Sequence, residues 1–169
     1  SMKNWEGTVG ELLDYMFDPT MTWEDLKWIR QQWDGTLTVK GIQNLEDAKQ
    51  AAKLGADAIL LSNHGGRQLD GAISSIKALP GIVNAVGKDI EVWMDGGIRS
   101  GQDVLKAWAL GARGTMIGRP FLYGLGAMGE AGVTKCLELI HNELDITMAF
   151  TGHRDIQNVT KDILYPGTF

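Results

Sequence analysis

From Leu37 onward, short apolar runs alternate with longer stretches whose apolar residues recur at helical spacing. Residues 37–42, 58–62, 90–95 and 114–118 read as strands. Helices are expected at 44–54, stopped by Gly55, and at 72–86, with Pro80 as an interior break or a fresh start. A third is expected at 100–110, closed by Gly111. After the last strand come a short helical turn at 121–125, a long helix at 130–151 ending at Gly152, and a final helix at 155–164. Ahead of this region, Thr8 and Glu11 have the spacing of a capping box, followed by Leu12, Leu13, Tyr15 and Met16 in a short helix that Asp18-Pro19 ends. Thr22 opens a second helix, in which Trp23, Leu26, Ile29 and Trp33 share a face as packing residues. Asp34-Gly35 then turns the chain.

Strands alternating with helices imply right-handed βαβ units and a parallel sheet. Strands this apolar are covered on both faces. The polar residues gather at the strands' carboxyl ends: Lys40, then Asn63-His64, then Asp95-Gly96-Gly97, then Gly118-Arg119. Open α/β sheets and TIM barrels hold their ligands there. An open doubly wound sheet is disfavoured, because the loop at 40–44 is no dinucleotide fingerprint. A complete (β/α)8 barrel takes about 250 residues and eight strands. The expected architecture is therefore α/β, with half a barrel's worth of parallel strands and flanking helices in a single domain over 1–169.

Composition narrows the function classes. The 169 residues suffice for one real core, and 44% hydrophobic and 22% charged content are ordinary for a globular protein. A net charge of −5 disfavours nucleic acid as a partner. The single cysteine, Cys136, lies in a helical pattern and reads as core or near-core, and a cytoplasmic location is expected. No apolar run approaches the roughly 20 residues needed to span a bilayer. Ser1-Met2 reads as a residual tag residue ahead of a methionine, so the first residue need not be the natural start.

The strand-end loops carry the candidate chemistry. His64 and Arg67, with Gly65 and Gly66 between them, offer a base, a fixed cation and a flexible cradle; the alternative is an ordinary surface loop. Residues 95–101 and 118–120 combine exposed glycine backbone with Arg99 and Arg119, the makings of an anion site; the alternative is tight turns with solvated arginines. Lys40 can reach a ligand, form a Schiff base, pair with a carboxylate, or snorkel at the rim. Asp70 reads as a turn residue or a counter-charge for Arg67. His141 and His153 have no convergent partners. No set of side chains has metal-ligand spacing, and no serine or cysteine nucleophile stands beside a base.

Ser62-Asn-His-Gly-Gly-Arg-Gln-Leu-Asp70, Asp95-Gly-Gly-Ile-Arg99, Ala109-Leu-Gly-Ala-Arg113 and Gly118-Arg-Pro-Phe-Leu-Tyr-Gly124 together resemble the FMN-dependent 2-hydroxy-acid dehydrogenases and oxidases, the group of L-lactate dehydrogenase and glycolate oxidase. The wording is most similar to the bacterial L-lactate dehydrogenase branch. The resemblance implies the C-terminal half of the family's barrel, with FMN as cofactor and an L-2-hydroxy acid, L-lactate first, as substrate. It implies Lys40 against the N1/C2 edge of the flavin and Ser62 helping at that edge. His64 would be the catalytic base, and Arg67 the clamp on the substrate carboxylate. Asp95, Gly97, Arg99, Gly118 and Arg119 would surround the ribityl chain and phosphate. The first half of the family's barrel would supply substrate-binding tyrosines and an aspartate that orients the histidine, so the chain alone is expected to be a weak catalyst or inactive.

Two other readings compete. A half-barrel leaves open sheet edges, so the chain is expected to self-associate and to serve as a non-catalytic module that keeps an FMN or phosphate pocket. Alternatively, it is another phosphate-binding barrel, against which the histidine–arginine pair of the 62–70 loop discriminates. A peripheral membrane contact of the longer protein is compatible with both family and sequence.

Overall fold

The computed structural model describes residues 6–167, in two compact units, one up to Asp34 and one from Gly35 onward. The first contains α1 (Val9–Met16) and α2 (Trp23–Gln32). Both open as the sequence predicts. The Thr8 amide donates to Glu11 Oε2 at 2.7 Å, and the Thr22 amide and hydroxyl donate to Asp25 Oδ2 at 2.6 and 2.8 Å. These threonine hydrogen bonds hold the carboxyls of Glu11 and Asp25 below their ordinary pKa values. Trp23, Leu26 and Ile29 are half-buried, as their shared face requires. Trp33 is not: it is the C-terminal cap of α2, outside the helical repeat, and is 55% exposed.

The second unit runs β1 (Thr38–Ile42), α3 (Leu45–Lys53), β2 (Ala58–Leu61), α4 (Ser75–Val86), β3 (Glu91–Met94), α5 (Gly101–Ala109), β4 (Gly114–Thr115) and α6 (Arg119–Phe150). The four strands are parallel and ordered β1-β2-β3-β4, the sequential βαβ arrangement expected from the alternation. Every residue of β2 is buried. Ile59, Leu61, Val92 and Met94 are buried, as are Leu79, Ile82 and Val86 of α4 and Leu105 of α5. Helix starts are capped locally. Asn44 accepts the Glu46 amide at 2.7 Å, and the hydroxyl of Ser100 accepts the Asp103 amide at 3.2 Å.

Four boundaries differ from the sequence reading. The helix expected from residue 72 starts at Ser75, because Gly71 (φ 75°) and Asp70 make a turn first, and it continues through Pro80. The strand expected over 114–118 pairs only at Gly114–Thr115 before Gly118 leads into α6. The turn expected at 121–125 is part of a helical arm that begins at Arg119, and a break at Gly129 (φ 60°, ψ −138°) separates it from the long second arm. That conformation is open to glycine alone. The arms meet backbone to backbone, since a Cβ on Gly132 would lie 1.9 Å from the Gly124 carbonyl oxygen. The final helix expected at 155–164 is two short 3-10 turns, Ile156–Asn158 and Lys161–Ile163. Val159 between them is extended, which lets it enter the core with Leu105, Ala109 and Met148.

Cys136 is half-buried. No helix among the described residues is long and apolar enough to cross a membrane.

Candidate active site

Side chains alternate across a strand, so residues two apart share a face. Lys40 is level with Leu60, and Leu60 with Trp93. Ser62 and Asp95, each two residues further on, therefore lie on the same face as Lys40. The structure joins them: Lys40 Nζ donates to Ser62 Oγ at 3.0 Å and forms an ion pair with Asp95 Oδ2. Of the alternatives open to Lys40, pairing with a carboxylate is the one realised. Ser62 is 4% exposed, and its hydroxyl oxygen also accepts the His64 amide at 3.0 Å. Asp95 Oδ1 is buried and has no hydrogen-bond partner among the described residues. A buried carboxylate oxygen left this way is costly unless a donor reaches it.

Beyond Ser62 the chain turns tightly. His64 has φ 54°, in the left-handed region, followed by Gly65 at 66° and Gly66 at 73°. Three consecutive left-handed residues need glycine, and a side chain there costs roughly 1–2 kcal/mol; His64 carries that strain at the mouth of the site. Asn63 Oδ1 accepts the Gly65 amide at 3.0 Å, and Arg119 Nη2 donates to the Gly65 carbonyl at 2.7 Å. Arg67 closes the turn and is exposed. Asp70 Oδ1 accepts the Gly71 amide at 3.0 Å, so it serves the turn. Gln43 Nε2 anchors the far end of the loop on the Ile73 carbonyl at 3.2 Å.

The third strand end passes through Gly96 (φ 83°) and Gly97 (φ 97°) to Arg99 and the capped start of α5. The fourth passes through Gly118 to Arg119 and Pro120 in the first turn of α6. A Cβ added at Gly97 or Gly118 would meet nothing within 4 Å, so their backbone is open. One cavity of about 260 Å³ collects these ends, with Lys40, His64, Arg67, Asp95, Arg99 and Arg119 in its wall. His141 is exposed on α6, and His153 Nδ1 lies 3.3 Å from Thr151 Oγ1.

The sequence-predicted residues Lys40, Ser62, His64, Arg67, Asp95, Gly97, Arg99, Gly118 and Arg119 thus fall at one end of one sheet. Two features were missed. Asn63 forms an Asx-type turn, a signal readable from asparagine ahead of a glycine pair. The bond from Arg119 to Gly65 joins residues 54 apart and had no local signal.

A family model described as FMN-dependent dehydrogenase matches residues 2–166. An L-lactate dehydrogenase of Caulobacter vibrioides is 52% identical over 164 residues, covering 94% of this chain and 43% of that protein. An L-lactate dehydrogenase of Pseudomonas putida is 47% identical over 170 residues, covering 97% of this chain and 45% of that protein. Among solved structures, a monotopic membrane protein, (S)-mandelate dehydrogenase, superposes with a TM-score of 0.88 at 43% identity, covering 92% of this chain and 41% of that one. A mandelate oxidase variant with a monooxide FMN adduct superposes with a TM-score of 0.81 at 46% identity, covering 85% and 46%. The chain spans less than half the length of these relatives.

Proposed function

The chain belongs to the FMN-dependent dehydrogenase family, and from that premise we propose that it carries the C-terminal half of a (β/α)8 barrel that oxidises an L-2-hydroxy acid to the 2-oxo acid with FMN. L-lactate is the first substrate to test, because the relatives at 47–52% identity are named for it. The observation that carries this reading is the bonded row Asp95–Lys40–Ser62 leading into the His64 amide, on the same cavity wall as Arg67, Arg99 and Arg119.

FMN suits these residues on two grounds. The orphaned Asp95 Oδ1 matches a polyol hydroxyl donor. The open backbone at Gly97 and Gly118, beside Arg99 ahead of α5 and Arg119 at the start of α6, matches a phosphate dianion. When bound, the flavin supplies the two-electron acceptor. Lys40, positioned by Ser62 and Asp95, would offer its Nζ as a hydrogen-bond donor to the flavin. Arg67 grips the substrate carboxylate, a task that suits a planar guanidinium. A ring nitrogen of His64 takes the proton that the hydroxy acid gives up, from a turn whose backbone is bonded on both sides of Gly65.

Titrating the chain with FMN should quench flavin fluorescence. Adding L-lactate with an artificial electron acceptor should give turnover well below that of a full-length relative, because this chain spans less than half of one. His64→Ala should cut that turnover by about 10²-fold or more while FMN still binds. Absence of flavin binding would overturn the cofactor assignment, and equal turnover in the variant would overturn the base.

A second reading, a self-associating half-barrel that keeps the pocket without chemistry, is favoured by the sheet itself. β1 and β4 are end strands of an open four-stranded sheet, and unpaired strand edges recruit further strands. Sedimentation at micromolar concentration should show a dimer or larger species; a monodisperse monomer contradicts this reading. A peripheral membrane location of the longer protein is in keeping with the neighbour named as monotopic.

A further inference from the structure

We propose that Arg119 is a positioning residue that couples anion binding at the Gly97–Gly118 end of the cavity to the conformation of the His64 turn; this rests on the phosphate-site reading above. The other bonds of the turn are local: Ser62 Oγ accepts the His64 amide at 3.0 Å and the Asn63 carbonyl accepts the Gly66 amide at 2.9 Å. His64, Gly66 and Arg67 are exposed, and His64 sits at φ 54°. The peptide groups of Gly65 are instead gripped by side chains, the N–H by Asn63 at 3.0 Å and the carbonyl by Arg119 at 2.7 Å.

Asn63 belongs to the loop it holds, whereas Arg119 comes from the first turn of α6, beside Gly118, whose backbone is open to the cavity. A guanidinium has five N–H donors in one rigid plane. One donates to Gly65, and the rest have no acceptor among the described residues while lining the same cavity as Arg99. An anion bound there fixes the guanidinium plane and, through it, the Gly65 carbonyl one residue from His64. By linkage, a well-formed turn also strengthens the anion site. Lysine keeps the charge but has no fork, so it serves the anion or the carbonyl and does not bridge them in a fixed geometry.

The test follows hydrogen exchange of the 62–70 segment in the whole chain, with and without saturating inorganic phosphate or FMN. Wild type is compared with Arg119→Lys and Asn63→Ala, and flavin fluorescence reports FMN binding in parallel. A charge-assisted hydrogen bond of about 1.5 kcal/mol predicts roughly tenfold slower exchange in wild type on anion binding, and less than about twofold in Arg119→Lys. Asn63→Ala should raise the baseline exchange yet keep the anion response. Bound FMN with no change in wild-type exchange overturns the coupling and leaves the cofactor reading standing. So does an Arg119→Lys response equal to wild type, or loss of the response in Asn63→Ala, which would make it general loop stiffening. If FMN fails to bind, the cofactor reading falls and the phosphate arm alone judges the coupling, which is overturned if phosphate has no effect.

Discussion

Gly101→Ala is expected to cost the second unit at least about 3 kcal/mol, the upper end of the usual range for overpacking. A Cβ at Gly101 would stand 1.9 Å from the Leu144 amide nitrogen, 2.4 Å from the Glu143 carbonyl carbon and 2.6 Å from the Ile140 carbonyl oxygen. All are backbone atoms of α6, so no rotamer change relieves the clash. The helices must separate. Separation also breaks the bond from the Gly101 amide to Glu143 Oε2, at 3.0 Å, and opens the cluster of Leu105, Ala109, Met148 and Val159. Gly81→Ala is the contrast. It lies inside α4 with nothing within 4 Å of its added Cβ, so it should gain about 0.5–1 kcal/mol from lost unfolded-state entropy. Urea unfolding of the two variants should move the midpoint in opposite directions. A Gly101→Ala midpoint within about 1 kcal/mol of wild type would mean that α5 and α6 do not approach this closely.

What could be read from the sequence and what could not divide along a physical line. Short apolar runs with polar ends located the four strands, and the side-chain alternation of a strand is why Lys40, Ser62 and Asp95 share a face. Capping residues are equally local, and Thr8, Thr22, Asn44 and Ser100 open helices where they were expected to. The losses came where tertiary packing outvotes local preference. Val159 is drawn into the core and splits an amphipathic stretch into two short turns. Gly124, in the turn expected at 121–125, and Gly132, in the helix expected at 130–151, are where the arms of α6 touch, a contact with no local signal.

The site shows the same division. The identities of its polar residues were legible because each stands at the end of an apolar run, in motifs shared with the FMN-dependent dehydrogenases. Their connections were not. Lys40 could have faced solvent, and only the ion pair with Asp95 decides the matter. Arg119 was legible as a candidate for an anion site; its hold on the turn that carries His64 required the structure. The row of bonds from Lys40 through Ser62 to the His64 amide, and from Gly65 to Arg119, links three strand ends. A change at one end should therefore be felt at the others.

Gly96→Ala puts that coupling to its severest test, and it is expected to abolish measurable flavin binding while destabilising the chain. Two costs coincide at Gly96. Its φ of 83° lies in the left-handed region, where a side chain costs roughly 1–2 kcal/mol. In addition, the new Cβ would lie 2.6 Å from Asn63 Oδ1 and 2.9 Å from Ser75 Oγ. Neither neighbour yields easily. Ser75 is 1% exposed in the first turn of α4, and Asn63 Oδ1 is engaged with the Gly65 amide. If Asn63 swings away, the Gly65 amide of the His64 turn loses its acceptor; if the Asp95–Gly97 backbone retreats instead, Asp95 leaves Lys40. Either response dismantles the cavity wall. Gly97→Ala separates the two costs, because its φ of 97° carries the same backbone strain but nothing lies within 4 Å of the new Cβ. It should lose about 1–2 kcal/mol of stability and leave the Asn63–Gly65 bond intact. Flavin titration and urea unfolding of both variants check the argument. Equal loss of stability in the two, read by urea unfolding, would assign the effect to backbone strain alone and remove Asn63 from the account.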